Sequence, residues 1–376
     1  MTAEITSRPI RFVSAALALS FLLYGCGPPP PPPSVSETLP ARLTNQEFWN
    51  TITEFSEPGG VFPSENFLSN ESGYQEVIPA LLKTVKPGGT YIGVGPEQNF
   101  TYIVALQPKI AFIIDIRRQN MLEHLFYKAL METSTDRAEF LSRLFARPGV
   151  RLTANSTPDA VFRAYKSGRP LRALFETNIR RVVDFLVSEK GFKLSDQDKA
   201  GIRQVAQAFF KSGPNLNYTF TGGYGDSRRM PSYSDLMTES DGVSRNWNFL
   251  ATEDQFQAIQ RMQKCNLIVP LVGDFAGPKA IRSIARYVQE HRSTVRIFYT
   301  SNVEQYLFQD NDKWKRFYES VLFLPTDSTS TFIRYVLEAE RYGRARTSLT
   351  SIMTSTMNAY RGGGIQQYYD IVRLSR

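Results

Sequence analysis

Cysteine and histidine are almost absent: the 376 residues contain only Cys26, Cys265, His124 and His291. Two cysteines and two well-separated histidines cannot assemble the usual structural zinc site, and no metal is expected. A Ser-His-Asp triad would have to use His124 or His291, and each falls in an expected helix, where it reads as structural or as surface. Cys265 reads as a buried core thiol. Also missing is any run of five basic residues, although the net charge is +8. The Arg117-Arg118, Arg180-Arg181 and Arg228-Arg229 pairs are scattered, which fits solvated surface, and nucleic acid is not expected as a partner. There is no internal repeat. Hydrophobic residues make up 42% and charged residues 21%, so the chain has the means to build a sizeable globular core.

The N-terminus carries Arg8 and Arg11, then 13 apolar or small residues from Phe12 to Tyr24. A helix crossing a bilayer needs about 20. A positive start and a short apolar core instead describe a signal peptide, residues 1–25. The end of that core, Leu23-Tyr24-Gly25-Cys26, resembles the lipobox of bacterial lipoproteins, with Tyr24 bulkier than the usual occupant. The resemblance implies lipidation at Cys26 and a cell-envelope location, anchored to a membrane and facing away from the cytoplasm. Six prolines, Pro28 to Pro33, make residues 26–40 an extended tether. The first 25 residues hold Arg8, Arg11 and Glu4, so the remainder carries +7.

The folded part is expected over 41–376. Thr44 to Glu47 is a capping box ahead of a helix containing Phe48, Ile52 and Phe55. A polar loop, 62–73, and a helix over 74–85 follow, stopped by Pro87-Gly88-Gly89. Strand 90–95, helix 98–106, strand 109–114 and helix 118–132 then alternate. Strand-helix-strand order with wholly apolar strands predicts a parallel sheet. A helical insertion is expected at about 155–265, with helices near 158–167, 171–189 and 195–211 and a long loop, 215–241, that has room for a short hairpin. The α/β pattern resumes with strand 266–272, a helix with Pro278 in its first turn, strand 295–299, and a helix capped by Asp310. Val321 to Leu324 and Thr331 to Val336 read as a β-hairpin, and 344–358 as a final helix.

The strongest functional pattern is Gly93-Val94-Gly95-Pro96-Glu97 between a strand and a helix, with Asp115 closing the next strand 20 residues after Gly95. Glycines there let a ligand approach the backbone, and an acid at the neighbouring strand end can accept from ribose hydroxyls. The dinucleotide fingerprint fails, because its third glycine falls on Gln98. The pattern resembles class I S-adenosylmethionine (SAM)-dependent methyltransferases, whose loop is usually G-x-G-x-G; Glu97 replaces the third glycine. That resemblance implies a mostly parallel, doubly wound α/β sheet with a C-terminal β-hairpin, SAM as cofactor, and Gly93, Gly95, Glu97 and Asp115 as its binding residues. Glu97 would stand beside the methionine part, either accepting from its amino group or blocking the site.

Asp274, Asn302 and Tyr306, at the ends of the later strands, are the residues the resemblance places at the reaction site. Asp274 could equally cap the Pro278 helix. The segments GVGPEQNFTYI, VGDFAGPKA and SNVEQYLF also look like those of an uncharacterised bacterial family. The reading is thus a membrane-anchored lipoprotein that transfers a methyl group to an unknown acceptor. The alternative is a non-catalytic envelope protein that binds a small ligand in the same crevice. Asp115→Ala is expected to weaken ligand binding about ten- to a hundredfold with little loss of stability.

Overall fold

The computed structural model describes residues 36–375 except 63, 65–66, 154–155, 219–229, 311 and 337–346. The leader, Cys26 and Pro28 to Pro33 lie outside the described residues. A six-stranded mixed sheet runs through the core: β1 (Thr90–Gly93), β2 (Ile110–Asp115), β3 (Ile268–Val272), β4 (Val295–Ser301), β5 (Thr331–Val336) and β6 (Thr347–Ile352), in the order β3-β2-β1-β4-β5-β6. The first five are parallel, and β6 runs antiparallel to β5. Five-residue apolar strands such as Ile268 to Val272 are buried throughout, as strands covered on both faces must be.

The two faces are built from alternating residues. Phe112 and Phe298 point one way, against Phe55 of α1 (Asn45–Phe55), Tyr287 of α11 (Ala280–Glu290) and Phe317 of α13 (Lys313–Val321). Tyr299 points the other way, against Tyr102 of α3 (Gln98–Leu106). On that side α4 (Arg118–Thr133) packs on β2 and β3. α1 begins with the expected capping box: Thr44 Oγ1 accepts from the Glu47 amide while Glu47 accepts from Thr44. The short α2 (Ile78–Thr84) follows a 3-10 turn at 74–77.

The segment between β2 and β3 is helical, as expected, with α6 (Pro158–Ser167), α7 (Arg172–Asp184) and α8 (Asp196–Ser212). It also contains α5 (Arg137–Phe145), α9 (Tyr233–Thr238) and α10 (Glu253–Lys264), which the periodicity left unassigned. The expected loop 215–241 therefore ends in a helix. Its only described strand-like feature is a single antiparallel bridge, Asn217 to Ser232.

The C-terminal expectations need correction. Val321 closes α13 and pairs with no strand, and the hairpin instead joins β5 to β6. Residues 347–352, expected inside a helix, form β6; the helix starts at Met353 as α14 (Met353–Arg361), and α15 (Tyr368–Leu374) follows. Pro278 precedes α11 rather than lying in its first turn. Asp310 is not a helix cap: α12 (Val303–Leu307) comes before it and Asp312 heads α13. Cys265 is half-buried just after α10, not a core thiol.

Candidate functional site

The strand order reverses between β1 and β4, because β2 and β3 lie to one side of β1 and β4 and β5 to the other. Loops leaving adjacent strands at such a point diverge, which opens a crevice over the strand ends. A cavity of about 410 Å³ lies there, lined by residues that include Gly95, Asp115, Asp274, Asn302 and Tyr306. Five of the seven expected site residues thus come together, one or two from the end of each of β1 to β4. Gly93 and Glu97 do not line it.

Gly93 serves packing. A Cβ there would overlap Asn99 Oδ1 and lie 2.7 Å from the Tyr91 ring. Asn99 needs that space because it clips the loop: its Nδ2 donates to the carbonyls of Val94 (2.9 Å), Gly95 (3.3 Å) and Pro96 (2.8 Å), while its Oδ1 accepts from Tyr91 (2.9 Å). His124 holds the other side of the loop, with Nε2 2.9 Å from the Gly95 carbonyl. Burial lowers the His124 pKa to about 4, so it is a neutral, structural ring. Gly95 itself has φ +78°, a conformation that favours glycine, and a Cβ there would meet nothing within 4 Å. The loop is therefore shaped from below and open above.

Glu97 corrects the expectation most sharply. It is fully buried beneath the loop, with neither carboxylate oxygen in hydrogen-bonding geometry. Burial raises its pKa to about 8, and the backbone amides of Glu97 and Ser69, near the carboxylate but outside bonding geometry, offset only part of that. Glu123 on α4 is also buried, and burial, with Glu97 nearby, raises its pKa well above the ordinary value. Glu97 faces inward because the helix start turns its side chain toward α4, not toward the crevice.

Asp115 does end β2 at the cavity, but its carboxylate is engaged. Arg117 binds it in a fork, Nε to Oδ1 and Nη2 to Oδ2 at 3.1 Å each, and the Arg117 amide donates to Oδ1 at 2.8 Å. Both side chains are 8% exposed. Removing one partner of a buried pair leaves an uncompensated charge, at about 3–5 kcal/mol. Asp115→Ala is therefore expected to be destabilising, which replaces the sequence-based expectation of little change.

Asp274 does not cap α11. Its Oδ1 accepts from Ala276 (2.9 Å), and the helix start is taken by Glu57, 222 residues before Lys279. Glu57 Oε1 accepts from the Lys279 and Ala280 amides at 2.7 Å each, and Oε2 from Asp274 at 3.2 Å. The chain's own carboxylate thus fills a helix terminus that could otherwise take an anion.

Sequence reasoning missed Glu71. It comes from the loop expected to be merely polar, yet it is 1% exposed and lines the cavity. Gln98 Nε2 donates to its Oε2 (2.8 Å) and Ser301 Oγ donates to its Oε1. Burial raises its pKa to about 7, against the lowering effect of hydrogen bonds from Ser301, Gln98 and Tyr299. Ser301 closes β4 with φ +52°, where the register against β5 slips by one residue. Strain of this kind in a non-glycine residue marks a place that the surrounding structure enforces. Glu304, the second residue of α12, is not among the residues lining the cavity and binds Arg334, Tyr318 and Thr300.

The buried carboxyls set a pH dependence. Glu71 and Glu239, both raised to about 7, and Glu97, raised to about 8, keep their protons when folded and lose them near 4.5 when unfolded. The stability they contribute is complete below pH 4.5 and is lost as pH rises toward 8. His124 works oppositely between 6.5 and 4 and is outnumbered. The melting temperature is expected to peak nearer pH 5 than pH 8. Glu97→Gln should flatten the decline, gaining on the order of 5 kcal/mol over wild type above pH 8. Parallel pH–melting curves for the two proteins check this.

No curated protein matches the chain. Residues 66–361, from just before Glu71 to beyond β6, match the family described as "Domain of unknown function (DUF7790)". The chain belongs to that family.

Proposed function

We propose that the crevice is a SAM site of the methyltransferase type, and that the protein transfers a methyl group to a small acceptor while anchored through Cys26 to a membrane of the cell envelope. The observation that carries this reading is the convergence of Gly95, Asp115, Asp274, Asn302 and Tyr306 on one cavity at the reversal of strand order. Its volume lies within the 300–1,000 Å³ or so typical of small-molecule sites. The residues fit the cofactor in part: Gly95 leaves the approach open, and Asp115 stands at the strand end suited to ribose hydroxyls. When bound, SAM supplies an electrophilic methyl group. Gly95 and Asp115 would hold it, and Asp274, Asn302 and Tyr306 would orient the reacting groups, so that the rate gain comes chiefly from proximity.

The Asp115–Arg117 fork favours a second reading, a non-catalytic envelope protein binding a small ligand in the same crevice, because it leaves Asp115 already neutralised. Calorimetric titration separates the two. Wild type should bind SAM, Gly95→Leu should abolish binding, and Arg117→Met, though destabilised by the charge it leaves unpaired, should tighten it about tenfold by freeing Asp115 Oδ2, with Oδ1 still accepting from the residue-117 amide. Absence of heat at millimolar SAM in both wild type and Arg117→Met would leave the second reading.

A further inference from the structure

From the way Glu71 is built into the crevice, we infer that it is the group that recognises the methyl acceptor and takes up its proton, and that the acceptor is an apolar-bodied molecule bearing a hydroxyl or amine. This rests on the methyltransferase reading above. Three observations carry it. First, the crevice is divided by the sheet itself. Neighbouring strands lie about 4.8 Å apart, so the β2 and β4 ends are roughly 10 Å apart across β1. Asp115 and Arg117 stand at the β2 end, and Ser301 and Asn302 at the β4 end. Second, the β4 half is walled by Val303, Tyr306 and Leu307 of α12, with the Phe62 ring edge to face on Tyr306 at 5.1 Å. An acceptor seated here buries an apolar body.

Third, Glu71 is the carboxyl on this wall, and its position is enforced from two distant elements. Gln98 at the start of α3 holds one oxygen and Ser301 the other. The backbone that presents Ser301 is strained, at φ +52° beside the register slip in β4. Tyr299 is a third donor beside Glu71, which leaves one lone-pair site of the carboxylate for a ligand's donor. A hydroxyl or amine meeting Glu71 is therefore fixed by a charge-assisted bond. In the transfer, the acceptor's oxygen or nitrogen bonds to the methyl carbon, and the carbon–sulfur electron pair stays on sulfur. The acceptor's proton passes to the Glu71 carboxylate and is later released to water, which balances charge and atoms.

The test compares 4-ethylphenol with 4-ethylanisole, which has a similar apolar body but no donor, on the full chain in detergent by calorimetry between pH 5.5 and 8. Wild type should prefer the phenol, and the preference should grow about tenfold as Glu71 ionises. Glu71→Gln, which keeps the size and one acceptor, should show a preference that does not change with pH. SAM affinity, measured on the same samples, should change less than twofold in Glu71→Gln. Equal pH dependence in wild type and Glu71→Gln, or no preference in wild type, overturns the inference. SAM binding with those results sinks only the role of Glu71. Loss of SAM binding in wild type with the phenol preference intact sinks methyl transfer but leaves Glu71 as the recognition group.

Discussion

Gly93→Ala is expected to lower stability by about 3–5 kcal/mol, a large effect for one added methyl group. The strand end has no room for it: the new Cβ overlaps Asn99 Oδ1 and crowds Tyr91. Overpacking alone costs roughly 1–3 kcal/mol. If Asn99 swings away instead, Tyr91 loses its acceptor and the carbonyls of Val94, Gly95 and Pro96 lose their donor. Each buried group left unpaired costs about 1–3 kcal/mol. Denaturant unfolding of wild type and variant gives the difference directly, and a loss below 1 kcal/mol would show that Asn99 does not clip the loop. Gly95→Ala separates the two glycines, since its Cβ meets open space and only the φ of +78° opposes it.

Arg334→Met is expected to cost a similar 3–5 kcal/mol, because it leaves Glu304 charged and buried. Arg334 and Glu304 are 2% and 1% exposed in their side chains. The guanidinium reaches Glu304 through Nε (2.5 Å) and Nη2 (3.2 Å), and Ser351 of β6 through Nη1 (2.5 Å). It therefore ties α12, which borders the crevice, to the hairpin that ends the sheet. Replacing both partners with apolar residues, Glu304→Leu with Arg334→Met, should recover most of the loss, since no buried charge then stands alone. A double variant no more stable than Arg334→Met would show that the pair supports the fold through more than its charge.

The first half of the sheet was legible because its strands are short continuous apolar runs, KIAFII and NLIVPLV among them, bounded by glycine and proline. The hairpin was not. Thr347 to Ile352 (TSLTSI) has an apolar residue only at every third position, so it lacks the strand alternation, and its partner, β5, lies beyond residues 337–346. Only pairing with β5 makes it a strand. The site divides in the same way. Gly95, Asp115, Asp274 and Asn302 sit at strand ends and Tyr306 in the short helix after β4, where topology gathers whatever the sequence places there. Glu97 occupies a motif position, but burial decides which way it faces. Glu71 and Glu57 carry no local signal, since their partners Ser301 and Lys279 lie 230 and 222 residues away. Arg117 was within reach, two residues after the acid it neutralises.

The proposed site requires the crevice at the β1–β4 reversal to hold a ribose-bearing methyl donor. A crystal structure grown with S-adenosylhomocysteine, the demethylated product, tests it most directly. The predicted result is density for the nucleoside over Gly95, with its ribose hydroxyls on Asp115 and the Arg117 fork opened or turned. Density elsewhere, or an empty crevice with the Asp115–Arg117 pair unchanged at millimolar ligand, would contradict it.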